Sequence, residues 1–110
     1  STEGGKQLEV IFSIFDDVLT AELFGELDHH QATGVREAID REINEYDTKN
    51  LILDFSKVRY MDSSGIGLLI GRYRKISCFG GKVYCIHVDR QIKRMLYLSG
   101  VYRIIEILEN

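Results

Sequence analysis

Alternating apolar and polar residues dominate the first part of the chain. Apolar residues occupy every second position over residues 8–14, and the alternation resumes over residues 19–23 after the polar pair at residues 16–17. Period-two alternation on both sides of a short polar turn is typical of a β-hairpin. The pattern therefore predicts two antiparallel strands, the second of which ends near Gly25.

The next segment has the spacing of an amphipathic helix. Asp28 stands three residues before Gln31, the arrangement of a capping box, in which a side chain accepts hydrogen bonds from free N–H groups of the first turn. This pattern predicts a helix from about residue 29 to residue 46. The residues expected on its apolar face are Val35, Ile39, Ile43 and Tyr46.

Two further pairs of strand and helix follow. Residues 51–55 form a short apolar run typical of a strand covered on both faces, and Asp62 can cap a helix that extends to about Cys78. After a Gly-Gly break, residues 83–88 are predicted to form a strand, and Asp89 can cap a third helix that Gly100 ends. Residues 102–108 supply a last strand. The element order ββαβαβαβ predicts an α/β domain.

Length and charge limit the possible functions. A chain of 110 residues, 45% of them hydrophobic, fits one domain. Its 14 basic and 17 acidic residues include no basic run that could bind nucleic acid phosphates. Without an apolar segment of membrane-spanning length or a signal peptide, the sequence predicts a soluble cytoplasmic protein that binds neither nucleic acid nor membrane. Residues 1–7 are predicted to be a disordered terminus or expression remnant, and residues 8–110 the domain.

Neither a metal site nor a catalytic triad is expected. Cys78 and Cys85 are seven positions apart with no second pair, so they cannot form a closed zinc site and are predicted to be buried, reduced thiols. His29 and His30 lie at a predicted helix start and His87 in a predicted strand, where ordinary surface or core roles are more common than metal binding. We therefore assign no catalytic residue, no metal and no cofactor.

The segment that carries candidate chemistry begins at Asp62. It places the hydroxyls of Ser63 and Ser64 in the first turn of a helix, directly after a buried strand. The N–H groups of a first turn are unpaired and the helix dipole is positive there, so an added phosphoryl group would find hydrogen-bond donors. Asp28 is expected on the same edge of the sheet. The spacing alone, however, favours an ordinary helix start that Asp62 caps.

Glycines in the second helix need a separate explanation. Gly65, Gly67 and Gly71 fall within two turns, and each destabilises a helix by roughly 1 kcal/mol relative to alanine. One explanation is that they let a partner's backbone or nucleotide phosphate approach Ser63. Tight packing of the helix on the sheet explains them equally well.

Several motifs together resemble one family. LDFS at residues 53–56 and MDSSGIG at residues 61–67 are similar to the signature of STAS domains. GELDHH at residues 25–30 resembles an earlier loop of the sporulation anti-sigma factor antagonists in that family. Later similarities are GRY at residues 71–73, GGKV at residues 80–83 and SGV at residues 99–101. The resemblance extends from Leu8 to Leu108.

This resemblance implies a fold and a regulatory cycle. The fold would be a single STAS-type domain with a mixed sheet of about five strands and flanking helices. The unphosphorylated protein would bind an anti-sigma factor that is also a serine kinase, and so release a sigma factor. Phosphorylation of Ser63 would end the interaction, a serine phosphatase would reverse it, and ATP and Mg²⁺ would belong to the kinase. The implied partner-binding residues are Asp28, Asp62, Ser63, Ser64, Gly65, Ile66 and Gly67.

Other interpretations remain open at this point. A serine hydrolase is disfavoured because no Gly-x-Ser-x-Gly elbow surrounds either serine. Another role within the family, as a scaffold subunit or as the regulatory module of a transporter, is the main alternative. Cations on the second helix could bind an acidic partner but are more often solvated, and three larger side chains could anchor an interface but are more often core. The cations are Arg72, Arg74 and Lys75. The three larger side chains are Tyr73, Met95 and Tyr97.

Overall fold

The computed structural model describes residues 10–109, which form a five-stranded sheet and three α-helices. Their order confirms the predicted α/β arrangement. None of these helices is both long enough and apolar enough to cross a membrane. The prediction for residues 1–7 lies outside the described residues. The elements are β1 (Val10–Phe15), β2 (Val18–Leu27), α1 (His29–Tyr46), β3 (Asn50–Met61), α2 (Ser63–Ser77), β4 (Val83–Ile86), α3 (Arg90–Ser99) and β5 (Glu106–Ile107).

The strands lie in the sheet in the same order as in the chain. β1 pairs with β2 in antiparallel register, as predicted for the hairpin, whereas β2, β3, β4 and β5 pair in parallel. The sheet is therefore mixed, as the family resemblance implied. Each parallel connection from β2 to β4 contains a helix, the usual solution for joining parallel neighbours.

One face of the sheet is buried. Leu19, Ala21 and Leu23 of β2 are fully buried, while Thr20 and Glu22 between them are only half-buried. The same alternation runs through the first half of β3, so the prediction that both of its faces are covered was wrong. The core forms between this face and the helices, and includes Val35, Ile39 and Ile43 of α1 and Leu68, Leu69 and Ile76 of α2.

The central strand β3 is much longer than its predicted apolar run. It pairs with β4 only as far as Asp54, but continues beside β2 until Met61 pairs with Leu27. Val58 and Met61 are buried, whereas Ser56, Lys57, Arg59 and Tyr60 are exposed. The second half of β3 therefore projects beyond β4 and carries the chain to the start of α2.

The last part of the chain differs from the prediction. Instead of one strand over residues 102–108, the chain forms a 3-10 helix at Val101–Arg103 and a two-residue strand β5. Gly100 ends α3 in the left-handed conformation, with φ of 83°, and Val101 and Ile105 are buried four positions apart. This spacing is that of a helix, and it is the reason that no continuous strand forms here. β4 is also shorter than predicted, because His87 adopts φ of 58°, in the left-handed region that side-chain-bearing strand residues avoid.

Several predicted burial states were wrong. Cys78 is exposed, and only Cys85 is a buried thiol. Tyr46, expected on the apolar face of α1, is 55% exposed. Arg72, expected on a solvated helix face, is buried and lies beside Asp40 of α1, with 3.0 Å between its Nε and Asp40 Oδ1. Arg72 therefore links α2 to α1 through an ion pair with Asp40.

Candidate functional site

Three helices begin on one edge of the sheet, because each follows a parallel strand. Asp28, Asp62 and Asp89 are the residues immediately before α1, α2 and α3, and each accepts hydrogen bonds from the first turn that follows it. Asp62 Oδ1 lies 2.8 Å from Ser64 N, and Asp89 Oδ1 lies 2.8 Å from Ile92 N. The predicted N-caps are therefore confirmed, and they place three acidic side chains along the carboxyl edge of the sheet.

Asp28 and Ser63 lie on neighbouring segments of this edge. Leu27 pairs with Met61, and Asp62 N donates a hydrogen bond to Leu27 O at 3.3 Å. Because paired strands are about 4.8 Å apart, the residues that directly follow this pair begin the two helices side by side. The register confirms the prediction that Asp28 and Ser63 share one edge of the sheet.

The two serines of the first turn differ in accessibility. Ser63 is the first residue of α2 and is exposed, whereas Ser64 is half-buried and its backbone N–H is bound by Asp62. An enzyme that modifies a hydroxyl must bring its own reactive groups into contact with that oxygen. Ser63 is therefore the more accessible of the two hydroxyls.

The glycines of α2 have different environments. A Cβ on Gly65 would collide with the side chain of Met61, and would lie 3.5 Å from Leu27 O. Gly65 is buried, so tight packing explains it. Gly67 is exposed, and a Cβ there would meet nothing within 4 Å; the same open space surrounds a Cβ on Gly71. Packing on the sheet therefore explains Gly65, and close approach by a partner remains an explanation for Gly67.

A shallow cleft of about 210 Å³ separates the first turns of α1 and α2. Ser64, Gly67 and Leu68 line it from α2, and Ala32, Thr33 and Arg36 line it from α1. No sequence signal near Ser63 identifies the three residues of α1, because they come about thirty positions earlier and have no motif of their own. Their only indication was the predicted start of α1 on the same edge as α2.

Two carboxylates, Asp28 and Asp62, lie at the site, where the positive ends of the α1 and α2 dipoles partly offset their negative charge. Burial opposes ionisation of Asp28, but hydrogen bonds from the backbone of Gln31 and His30, together with the nearby imidazoles, lower the pKa of this carboxyl below its usual value of 3.8. Asp28 is therefore ionised at neutral pH. A phosphoryl group on Ser63 would add negative charge beside it, offset by the positive end of the α2 dipole. The N–H groups of Ser64 and Gly65 already donate to Asp62 Oδ1 and Asp62 O, so the expectation that they are free for a phosphoryl group was wrong.

The histidines do not assemble a catalytic or metal site with Ser63. His29 and His30 are exposed and their rings lie 4.0 Å apart, and His87 Nδ1 lies 2.9 Å from Asp54 Oδ1 at the end of β4. Within residues 10–109, no group of three or more His, Cys, Asp or Glu side chains is placed to hold a metal ion. The expectation that the chain needs no metal or cofactor remains a prediction.

The secondary candidates lie on the last turns of α2 and on α3. Arg74 is exposed on the last turns of α2, and Lys75 and Tyr73 are half-buried there. Tyr97 is 47% exposed, so the expectation that it belongs to the core was wrong, and its ring lies 4.8 Å from that of Tyr102. Met95 packs partly against the core from α3.

Comparison with known proteins yields consistent matches. A curated relative, the anti-sigma F factor antagonist of Paenibacillus polymyxa, is 37% identical over 93 residues, which cover 84% of this chain and 80% of the relative. The unphosphorylated form of the anti-sigma factor antagonist SpoIIAA superimposes with a TM-score of 0.73 at 24% identity, covering 92% of this chain and 88% of that one.

The phosphorylated form of the Bacillus cell fate determinant SpoIIAA gives a TM-score of 0.72 at 25% identity, covering 92% of this chain and 90% of that one. Residues 9–110 match the STAS domain family. The match spans nearly all of the chain, including both Asp28 and the segment from Asp62 to Gly67. The chain belongs to the STAS domain family.

Proposed function

We propose that this chain is an anti-sigma factor antagonist that is switched off by phosphorylation of Ser63. In the unphosphorylated state it binds an anti-sigma factor with serine kinase activity, and this binding frees the sigma factor. The name of the Paenibacillus polymyxa relative supports the antagonist role. The two forms of SpoIIAA support control by phosphorylation.

One structural observation carries the choice of Ser63. It is the exposed first residue of α2, on the edge where α1 also begins, and a hydroxyl at that position is open to another protein. Asp28, Asp62, Ile66 and Gly67 surround it and offer acidic, apolar and open backbone surface for the same partner. Gly65 supports this surface from below, since it is buried against Met61.

The proposed transfer needs groups from both proteins. The Ser63 Oγ forms a bond to the γ-phosphorus of ATP, the bond from that phosphorus to the ADP oxygen breaks, and the hydroxyl proton passes to a base on the kinase. The kinase also supplies Mg²⁺, which offsets the charge of the phosphates. A serine phosphatase would return the hydroxyl by hydrolysis, releasing inorganic phosphate. The chain itself would contribute only the acceptor and its orientation.

The phosphoryl group would act through charge and size. It adds about −1.5 to −2 charges at neutral pH on a surface that already holds Asp28 and Asp62. The added charge faces the surface of the partner. One unit charge at about 4 Å from a like charge of the partner is unfavourable by roughly 4 kcal/mol, which corresponds to a loss of several hundredfold in affinity. Repulsion of this size is sufficient to release the partner.

The experiment compares three variants with the parent against the anti-sigma factor of the same organism. Ser63→Ala should bind it persistently and should gain no phosphoryl group when incubated with ATP, as judged by intact mass spectrometry. Ser63→Asp should fold normally and bind poorly. Ser64→Ala is the matched control and should still be phosphorylated. If Ser63→Ala gains a phosphoryl group like the parent, the acceptor is another residue.

The same preparation tests the proposed absence of enzymatic activity. Without the kinase, the purified chain should neither hydrolyse ATP nor contain stoichiometric metal. Continued ATP turnover after removal of contaminating ATPases would contradict the proposal that the chain is a regulator that needs no cofactor.

A further inference from the structure

An apolar groove lies beside the candidate site, where β3 extends beyond β4. In this region no described strand pairs with β3 on the side of β4, and a space of about 240 Å³ between β3 and α3 is open to solvent. Its apolar lining comes from Tyr60 and Met61 of β3 and from Ile92, Met95 and Leu98 of α3. We call these five residues the α3 groove.

Large apolar side chains are exposed at the groove. Tyr60 is 54% exposed and Leu98 is 75% exposed, although the neighbouring Met61 and Ile92 are buried. Single exposed apolar residues are common on protein surfaces, but a concave group with a buried floor is typical of a binding site. Nothing in the packing of the domain requires Leu98 to be apolar, because most of its side chain contacts solvent.

The rim of the groove is cationic. Arg59 lines the groove from β3 and Arg94 from α3, and none of the lining residues is acidic. Neither arginine forms a salt bridge with any carboxylate of residues 10–109, whereas Lys57 and Lys93 nearby are paired with Glu22 and Glu109. In a chain with a net charge of −3, this rim is complementary to an acidic segment.

The groove is continuous with the surface around Ser63. Met61 forms part of its floor and also lies beneath Gly65 in the first turn of α2. Asp62 connects the two, and α3 starts on the same edge of the sheet as α2. A partner that covers Ser63 could therefore reach the groove without leaving this edge.

We infer that the α3 groove is a second docking site for the anti-sigma factor, and that it binds an acidic segment carrying an apolar side chain. The apolar side chain enters between Tyr60 and Leu98, and carboxylates on either side of it bind Arg59 and Arg94. This inference rests on the proposed function, since it concerns the same partner. The groove adds affinity without contacting the transferred phosphoryl group.

The test measures affinity and phosphorylation kinetics for two groove variants. Leu98→Ser and Arg94→Glu should each weaken binding to the anti-sigma factor of the same organism by about tenfold or more, as expected for a central contact. Both should raise KM for phosphorylation of Ser63 while leaving kcat close to that of the parent. The effect of Arg94→Glu should shrink as salt is added, because it is electrostatic, and that of Leu98→Ser should not.

Two controls lie away from the groove. Phe79→Ser removes another exposed apolar side chain, after the end of α2, and Arg41→Glu reverses another exposed charge, on α1. Both should bind like the parent. Thermal unfolding of all four variants identifies any loss of affinity that comes from misfolding, and a variant that unfolds is replaced by Leu98→Ala or Arg94→Gln.

The outcomes separate this inference from the proposed function. Parent-like affinity of both groove variants, together with weak binding by Ser63→Asp, overturns the docking site and leaves the antagonist role intact. A parent chain that neither binds the anti-sigma factor nor is phosphorylated by it overturns both. If sedimentation shows that Leu98→Ser abolishes self-association without changing partner affinity, the groove binds a second copy of the chain and the inference is wrong.

Discussion

Gly65 and Gly67 share a helix turn but should respond differently to the same substitution. Valine at position 65 would collide with Met61 beneath it, whereas valine at position 67 would extend into open space. We expect Gly65→Val to lower the free energy of unfolding by about 1–3 kcal/mol. Gly67→Val should remain as stable as the parent and bind the anti-sigma factor more weakly. Chemical denaturation and affinity measurements on both variants test this difference.

Gly67→Ala is a useful control, because it adds the smallest side chain at the same place. Equal affinity of the parent, Gly67→Ala and Gly67→Val would show that no partner approaches this glycine. The packing explanation for Gly65 would still stand in that case, since it rests on the contact with Met61.

The two cysteines should differ in reactivity. Burial raises the pKa of the Cys85 thiol to about 12, so that side chain is neither charged nor accessible at neutral pH, whereas Cys78 is exposed at the end of α2. Since the thiolate is the reactive form, a thiol reagent should modify Cys78 in the native chain and reach Cys85 only after unfolding. Peptide mass spectrometry identifies the modified residue. Rapid modification of Cys85 under native conditions would contradict the structure.

At the scale of elements, the contact between α1 and α2 includes a buried cation. Burial and the charge of Arg36 lower the pKa of Arg72, and the opposing influence is Asp40. The Arg72 Nε and Asp40 Oδ1 are 3.0 Å apart, although they do not form an aligned hydrogen bond. The pair therefore holds together mainly by charge. Asp40 and Arg72 each lie one helical turn beyond residues that line the cleft, Arg36 on α1 and Leu68 on α2.

Removing the carboxylate should destabilise the chain more than removing the pair. Asp40→Ala leaves Arg72 buried without its counter-charge and should lower the free energy of unfolding by about 1–3 kcal/mol, less than for a fully buried pair because Asp40 is partly exposed. Replacing both residues, with Asp40→Ala and Arg72→Met, should recover much of this loss. A double variant as unstable as the sum of both single variants would show that the charges are not coupled.

The elements that could be predicted from sequence are those with local signals. Each of the three helices starts at an aspartate that caps it, and the starts agree with the predicted ones within a residue. The length of β3 could not be predicted, because its second half is held by pairing with β2 across more than thirty residues. Arg72 was wrongly predicted to be solvated. Its burial depends on a contact with Asp40 of α1, and the spacing of residues on α2 does not reveal that contact.

The candidate site shows the same division. Ser63 and its neighbours follow from a contiguous motif, and Asp28 follows from the rule that parallel strands end on one edge. The cleft residues of α1 and the α3 groove were missed, since both depend on how separate helices pack. Tertiary contacts of this kind have no counterpart in a short stretch of sequence.

At the scale of the whole molecule, phosphorylation of Ser63 should leave the fold unchanged. Ser63 is exposed at the positive end of the α2 dipole, so the added group can project into solvent there and no buried contact has to open. Both forms of SpoIIAA match this chain almost equally well. We therefore expect the phosphorylated chain to give amide NMR shifts that change only near the starts of α1 and α2.

Widespread shift changes through β4, β5 and the end of α2 would contradict a local mechanism. Ser63→Asp provides a stable comparison for the same spectra, and the unmodified Ser63→Ala chain shows the effect of losing the hydroxyl alone. Agreement between the phosphorylated chain and Ser63→Asp would attribute the changes to charge.

The sequential order of the strands has a consequence for how the domain is assembled. Every strand pairs with the strand that precedes it in the chain, so each new strand adds to an edge that already exists, and no later segment must be inserted between earlier ones. Domains emerge from the ribosome from the amino terminus, and loop closure is least unfavourable for neighbouring segments. Once β3 has been synthesised, the hairpin, α1 and the long β2–β3 ladder can already form the edge of the sheet from which α2 and Ser63 begin. The surroundings of Ser63 can thus form before the last two strands are made.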